Sequence, residues 1–544
     1  MRMREVAGVL LIAAVVLVPG APAAAGTKVT TKPELANQCV SIRSASAGVI
    51  VRTPDGYRFS KDGRPAAFYL KPISLRTTFI YGGPGHILSS GGPTRTGVQV
   101  VDAVDPAIEG SWVFKPAGGG RFSISSNAAA GFLTQVGSKL RVTGIDRPLP
   151  KQTFSVSRAK GCLPYPEASL GATGKGFKGT NKNGTVFGFA DSHLHITANY
   201  RAGGRVIDGE SYDPLGITVA LGGDAENHGE DGSLDVTGNL LRTGLPFGGH
   251  DTSGWPTFSG WPTNGTNTHQ QTYYMWLKRA WKAGLRLTVA QTVEDQPICE
   301  IEPLRSHTCQ ETPAIISQVR RLKGLQNYVD AQAGGHGRGW FRLAYSPKQA
   351  RKVIEQGKLA VVIGVESSNP FDCSLEGGKS DCTRKMIDRR LDQLRSEGVR
   401  SMFLAHWVNN ALAGPSPEGG IKGAFINVFN KYQTGSYLTV ENCPDPAEGE
   451  VVEALSPLEI QILSNYYPKT AYLRDEPLPE YPDTPQCNTE GLTPLGAYAV
   501  KRMMDRHMLI ELDHLSEKSR EAVLEIAEAR NYPLVSGHTG TGGA

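Results

Sequence analysis

From Thr185 onward the chain repeats one rhythm: a short apolar run, a loop, then a stretch with helical amphipathic spacing. Strands alternating with helices imply a parallel sheet covered by helices, an α/β architecture of the TIM type. Strands are expected over residues 186–190, 285–289, 359–365, 399–404, 508–512 and 532–535. Helices are expected near 273–283, 387–397, 495–505 and 518–529, each just ahead of a strand.

The polar residues fall at the ends of those runs. Asp191, His193 and His195 end the first, and residues two apart in extended chain share a face. Glu366 ends the third, His406 the fourth, His514 the fifth and His538 the sixth. In a TIM barrel, catalytic groups converge at the C-terminal strand ends. Neutral imidazole and carboxylate are the usual ligands of zinc and similar divalent ions. A carboxylate placed like Glu366, directly after an apolar run, is costly to bury unless it is paired or metal-bound. The expected metal ligands are therefore His193, His195, Glu366, His514 and His538. Asp191 is expected to orient a ligand, or to serve as the base. His228, His250 and His269 lie in a Gly-rich loop with Trp255 and Trp261. A lid over the site and a tethered loop of satisfied histidines both stay open for them.

The same stretches resemble the amidohydrolase superfamily, most closely its membrane dipeptidase branch. The resemblance rests on Gly491-Leu492-Thr493-Pro494-Leu495-Gly496 and on Met508 through Ser516. Leu404-Ala405-His406-Trp407-Val408-Asn409-Asn410, Val362 through Glu366, and Val535-Ser536-Gly537-His538 also carry it. It implies two zinc-type ions: one on the first strand and Glu366, the second bridged by Glu366 and held by His514 and His538. It gives His406 the substrate carbonyl and developing oxyanion. Two departures stand out. The dipeptidases carry His-x-Asp on strand one, whereas this chain has His193-x-His195. The chain also ends six residues after His538, so the strand-eight Asp and the substrate-binding Arg of the family have no counterpart. The barrel is accordingly expected to be truncated after strand six. Residues 1–544 alone are expected to bind metal weakly and to hydrolyse little.

Ahead of the barrel the grammar differs. Residues 27–165 carry short alternating runs separated by turn signals, which predict an all-β module. Phe122-Ser123-Ile124-Ser125-Ser126 followed by Gly131-Phe132-Leu133 resembles a β-trefoil repeat. Residues 166–184 read as a linker, and 185–544 as the hydrolase barrel. Residues 1–25 read as a secretory signal peptide: Arg2 and Arg4, an apolar run, then Ala23-Ala24-Ala25. Export favours disulfides among the eight cysteines. Nested local pairing is expected: Cys39 with Cys162, Cys299 with Cys309, Cys373 with Cys382, and Cys443 with Cys487. Fifty-seven Lys plus Arg against 52 Asp plus Glu leave an excess too thin to mark a nucleic-acid binder. The reading is thus a secreted, divalent-metal hydrolase of peptide-like amides, in which a metal-bridging hydroxide attacks a small-molecule or peptide-like substrate. The alternative is a surface protein whose β-module binds a glycan or wall polymer while the barrel is an inactive scaffold.

Overall fold

The computed structural model describes residues 27–538, apart from 95–96, 145–147, 175, 177, 244, 257–260, 262, 264–265 and 304. The expected signal peptide and everything after His538 lie outside the described residues.

Residues Lys28–Arg158 build a 13-stranded antiparallel sheet that closes on itself. Closure comes where Thr153–Arg158 pairs with Gln38–Ser44, and where Lys139–Thr143 pairs with Gly97–Ala103. Alternation sets its inside: Val40, Ile42 and Ser44 are buried while Arg43 is exposed. Phe68, Phe114, Phe122 and Phe154 fill the core with Trp112, whose indole N–H donates to the Leu88 carbonyl at 2.6 Å. The all-β expectation holds as a closed antiparallel barrel. Its ends are tied by Cys39–Cys162, and the other bridges are Cys299–Cys309, Cys373–Cys382 and Cys443–Cys487.

Residues beyond the module run along helix Tyr274–Ala283. Glu167 accepts hydrogen bonds from the Tyr273 and Tyr274 hydroxyls, and Arg279 Nε donates to the Leu170 carbonyl at 2.6 Å. A second tie joins module and barrel directly. Lys71 is buried and donates to the Tyr328 hydroxyl at 2.9 Å and to Gln332 Oε1 at 3.0 Å.

The second sheet has six parallel strands: β1 (Phe189–Leu194), β2 (Leu285–Glu294), β3 (Phe341–Leu343), β4 (Leu359–Ser367), β5 (Val399–Met402) and β6 (Leu509–Ile510). The order is β1–β2–β4–β5–β6. The short β3, which no apolar run announced, lies against the start of β4, ahead of β5. A single parallel bridge, Glu511 to Val535, stands in place of the strand expected over 532–535. The sheet is a half-barrel, and among the described residues it does not close into a TIM barrel. Its first and last segments do touch at the rim, where Ser192 Oγ donates to the Gly537 carbonyl at 3.0 Å.

Two local differences from expectation have physical causes. β1 begins at Phe189, three residues late, because pairing with β2 continues through the polar Asp191 while Val186 and Phe187 stay exposed. Helix Glu311–Gln332 carries a blurred amphipathic pattern because polar residues face its core side. Buried Gln318 there completes β2: its amide donates to the Val293 carbonyl at 2.7 Å, and its oxygen accepts the Val293 N–H at 3.0 Å. The anticipated helices start where caps place them. Thr383, Thr493 and Ser516 accept from the backbone N–H three residues on, opening helices at Arg384, Pro494 and Glu517. Ile387, Leu391, Leu394, Val500 and Met503 on those helices share one buried core with Ile363 and Val365 of β4 and Met402 of β5.

Candidate metal centre

Every strand of the half-barrel except β3 delivers a polar group at its C-terminal end, and those of β1, β5 and β6 gather on the carboxylate that ends β4. Glu366, the penultimate residue of β4, is 1% exposed. Its Oε2 lies 3.0 Å from His195 Nε2 and 3.5 Å from His193 Nε2. Its Oε1 lies 3.1 Å from His514 Nε2 and 3.3 Å from His406 Nε2. Two donor groups result, sharing Glu366: one with His193 and His195, the other with His406 and His514. Burial alone would raise the Glu366 carboxyl. The His406 imidazole, with the His193 and His195 rings close to its oxygens, instead holds it well below the usual carboxylate range.

His538 joins by ring contact. Its centroid is 4.1 Å from that of His193, nearly parallel, and 5.1 Å from that of His514. Asp513 fixes this segment, accepting the N–H groups of Gly537 at 2.7 Å and His538 at 2.8 Å. His514 itself has φ +63°, a left-handed conformation uncommon for a residue with a side chain. Its carbonyl accepts the Ser416 N–H at 2.7 Å, which pins the turn.

Asp191 does something other than orient a ring. Its Oδ1 accepts the backbone N–H of His193 at 3.1 Å. The register of β1 on β2 is irregular between Asp191 and Leu194, so simple alternation fails there and the carboxylate folds back on its own strand. His193 and His195 still reach the cluster, their Nε2 atoms 3.0 Å apart. The other nitrogen of His195, Nδ1, faces the Gln291 carbonyl at 3.2 Å, so it carries the proton and leaves Nε2 as a lone pair.

Sequence reading missed the groups behind His406. Asp295, fully buried directly after β2, accepts from His406 Nδ1 at 2.8 Å and from the Ser368 hydroxyl. Arg201 Nε donates to its other oxygen at 2.8 Å. Despite burial, Arg201 and His406 hold Asp295 well below its ordinary value. Burial pushes His406 below the usual imidazole value, against the pull of Glu366 and Asp295. A partial signal existed, since Glu294 and Asp295 follow an alternating strand-like stretch from Leu285 to Val293. Arg201 comes from the long loop after β1, and no spacing rule announces it.

The donor set fits a divalent ion. Four imidazole nitrogens crowd two oxygens of one buried carboxylate. Among the described residues, His514 Nε2 is buried without a hydrogen bond, a costly state for a polar atom unless something else takes its lone pair. A cleft of about 650 Å³ is lined by Arg201, which holds Asp295, and by Trp407, the chain neighbour of His406. Arg201 stacks on the Trp407 ring at 4.2 Å. Leu240, Phe425, Phe429 and Leu463 make the far wall apolar. His228, His250 and His269 do not reach Glu366; they gather on Asp224.

No protein-family model and no curated protein matches this chain. Among solved structures it is similar to a metallopeptidase from Rhodobacter sphaeroides liganded with a phosphinate mimic of the dipeptide L-Ala-D-Ala. Identity is 14%, over 47% of this chain and 53% of that one, with a TM-score of 0.26. An amidohydrolase from Pseudomonas aeruginosa matches at 12% identity, over 45% of this chain and 43% of that one, with a TM-score of 0.22. This chain thus spans about half the length of those two proteins. SeviL, solved bound to asialo-GM1 saccharide, matches at 13% identity over 23% of this chain and 99% of its own, with a TM-score of 0.20. At these scores the functional reading rests on the geometry of the site.

Proposed function

We propose that this chain is a divalent-metal-dependent hydrolase that cleaves amide bonds of small, peptide-like substrates outside the cytoplasm. The observation that carries the reading is the convergence of His193, His195, His406 and His514 on the single buried carboxylate of Glu366. His193, His195, Glu366 and His514 would hold the metal, with His538 adjoining. When bound, zinc or a similar ion supplies Lewis acidity and a water acidified to near neutrality. The protein's own part centres on His406. Asp295 takes its Nδ1–H, which leaves Nε2, 3.3 Å from Glu366 Oε1, as the unprotonated nitrogen. That tautomer suits a group that accepts a proton from attacking water and returns it to the leaving nitrogen. His406 as an oxyanion donor would need a second proton, which its burial opposes. Arg201 balances the charge of Asp295 and lends its stacked plane with Trp407 to the cleft rim. The apolar wall selects a substrate with a bulky apolar side chain, and a cleft of about 650 Å³ accommodates a dipeptide-sized ligand. Four disulfides suit an oxidising compartment, and none of the described helices is long and apolar enough to cross a membrane.

The test is hydrolysis of a dipeptide and N-acyl amide panel by the full chain, with zinc, after chelation, and after zinc is restored. Activity that disappears with chelator and returns with metal supports the reading. Turnover indifferent to chelator, or none with any divalent ion tried, rejects it.

A further inference from the structure

The loop between β1 and helix Tyr274–Ala283 contains a cluster that shares no residue with the centre on Glu366. Asp224 Oδ2 lies 2.8 Å from His228 Nδ1, 2.7 Å from His250 Nε2 and 2.6 Å from His269 Nε2. All four donor atoms lie within 4.8 Å of one another. Asp224, His228 and His269 are buried, and the His250 side chain is 10% exposed. The three rings stand nearly perpendicular in pairs, at 83°, 86° and 86°, with centroids 4.9–5.5 Å apart. They point their nitrogens at one spot from three directions.

Hydrogen bonding alone does not account for this arrangement. One carboxylate oxygen offers about two lone pairs, and three ring nitrogens surround it. The other oxygen, Asp224 Oδ1, is buried and makes no hydrogen bond among the described residues. His228 faces acceptors on both sides, Asp224 at Nδ1 and the Val206 carbonyl at Nε2, 3.2 Å away. Without a cation it would need two protons; with one at Nδ1 it needs only the proton on Nε2. His250 differs: its Nδ1 lies 3.3 Å from the donor Arg242 Nη2, with Asp235 Oδ2 farther off at 3.6 Å. The carbonyl behind the distal nitrogen of His228 is how a metal-bound imidazole is oriented. The backbone is shaped to fit: a Cβ on Gly232 would meet His250 Nδ1 at 2.4 Å.

We infer that Asp224, His228, His250 and His269 form a separate divalent-metal site, a zinc-type centre of three nitrogens and one oxygen that clasps this loop. Four protein donors make a closed site, the form that serves structure rather than chemistry. What it holds in place is the cleft wall. Val206, whose carbonyl His228 grips, lines the large cleft, as do Val236, Leu240 and Thr268 from the same loop. A clasp here fixes the shape of the substrate face without touching the reacting atoms. This site stands whether or not the centre on Glu366 is catalytic.

Metal counting on the full chain tests it. In a Glu366→Ala/His514→Ala chain, equilibrated with zinc and passed over chelating resin, about one zinc per chain should remain, and adding His250→Ala should remove it. Cobalt in the same chain should give the intense visible bands of a tetrahedral ion. Should that chain stay folded by near-ultraviolet circular dichroism and hold no zinc, the inference is wrong. Because the double variant can fail to fold, Asp224→Asn and His250→Gln are also made singly in the native chain. Each should lower the zinc count by about one and speed thermolysin cleavage within residues 206–268 at least severalfold. An unchanged count with unchanged cleavage also overturns the proposal. Failure of the catalytic reading looks different: no amide hydrolysis, with this zinc still in place.

Discussion

Among single residues, Glu366 and His406 sit 3.3 Å apart yet are assigned different work. Glu366→Ala removes the oxygens both donor groups share, so metal bound at this centre and activity should fall together. His406→Ala takes away a proton carrier, so kcat should drop about 10²–10⁴-fold while metal at the centre is largely kept. The comparison needs atomic emission and steady-state kinetics on both variants. Equal metal loss in the two would make His406 a ligand rather than a proton carrier. A quieter residue tests the packing beneath. Gly364 in β4 faces the buried Gln291, and a Cβ there would meet Gln291 Oε1 at 2.0 Å. Gly364→Ala should therefore cost about 1–3 kcal/mol, read as a lower unfolding midpoint. Asp513 and Asp295 show why residue-level reading was incomplete. Both are carboxylates just past a strand, but their partners, the N–H groups of Gly537 and His538 and the ring of His406, come from distant sequence.

One level up, among strands and helices, the strand ends are extended by loops that need staples. Residues Cys373–Cys382 follow β4 and lead to the helix starting at Arg384, and their bridge closes a short loop of sequence separation 9. Loop-closure entropy puts its value at about 2–3 kcal/mol. The Cys373→Ser/Cys382→Ser pair should lower the thermal midpoint by several degrees and loosen the turn that sets Ser368 and Asn410, which are joined at 2.8 Å. No change in midpoint would mean the turn is held by its hydrogen bonds alone. Element boundaries were legible to within a residue where a cap coincided with an apolar period, as at Thr493 and Ser516, while the helix after Thr383 starts three residues earlier than expected. Helix Glu311–Gln332 was not, because Gln318 and Asp330 are buried for tertiary reasons: one completes β2, the other accepts the N–H of Gly339 at 2.7 Å.

Across the molecule, Lys71 links the β-module to the barrel. Burial, only partly offset by Glu167, lowers its ammonium from 10.5 to about 8. The folded state therefore binds the proton less tightly than the unfolded chain. Below about pH 8 both states are protonated, and folding carries the full cost of a buried charge. Between about 8 and 10.5 the folded chain has released its proton while the unfolded chain keeps it, so stability rises with pH. The gain approaches about 3 kcal/mol over that window. Lys71→Met should abolish it, so the difference in denaturation midpoint between native chain and variant should shift toward the native chain from pH 7.5 to 10. A constant difference would mean that the ammonium reaches water. The module and the half-barrel would then be coupled by the remaining contacts, such as the Asn37 amide on the Gln332 carbonyl at 2.8 Å.

Periodicity was written in the order of residues. Alternating runs make the β-module close, and apolar runs spaced by helical stretches make the second sheet parallel. The same order dictates that His193, His195, Glu366, His406, His514 and His538 emerge at one end, because strand direction in a parallel sheet puts every C-terminal end on the same side. Proximity in the chain made the pairs Cys299–Cys309 and Cys373–Cys382 legible as well. Which atoms meet was settled at long range. Register irregularity in β1 turned Asp191 back onto its own strand, and packing of β2 against β4 put Asp295 behind His406. Loop closure over tens of residues brought His228, His250 and His269 onto Asp224. Such encounters depend on distances set by folding the whole chain, and no local spacing encodes them.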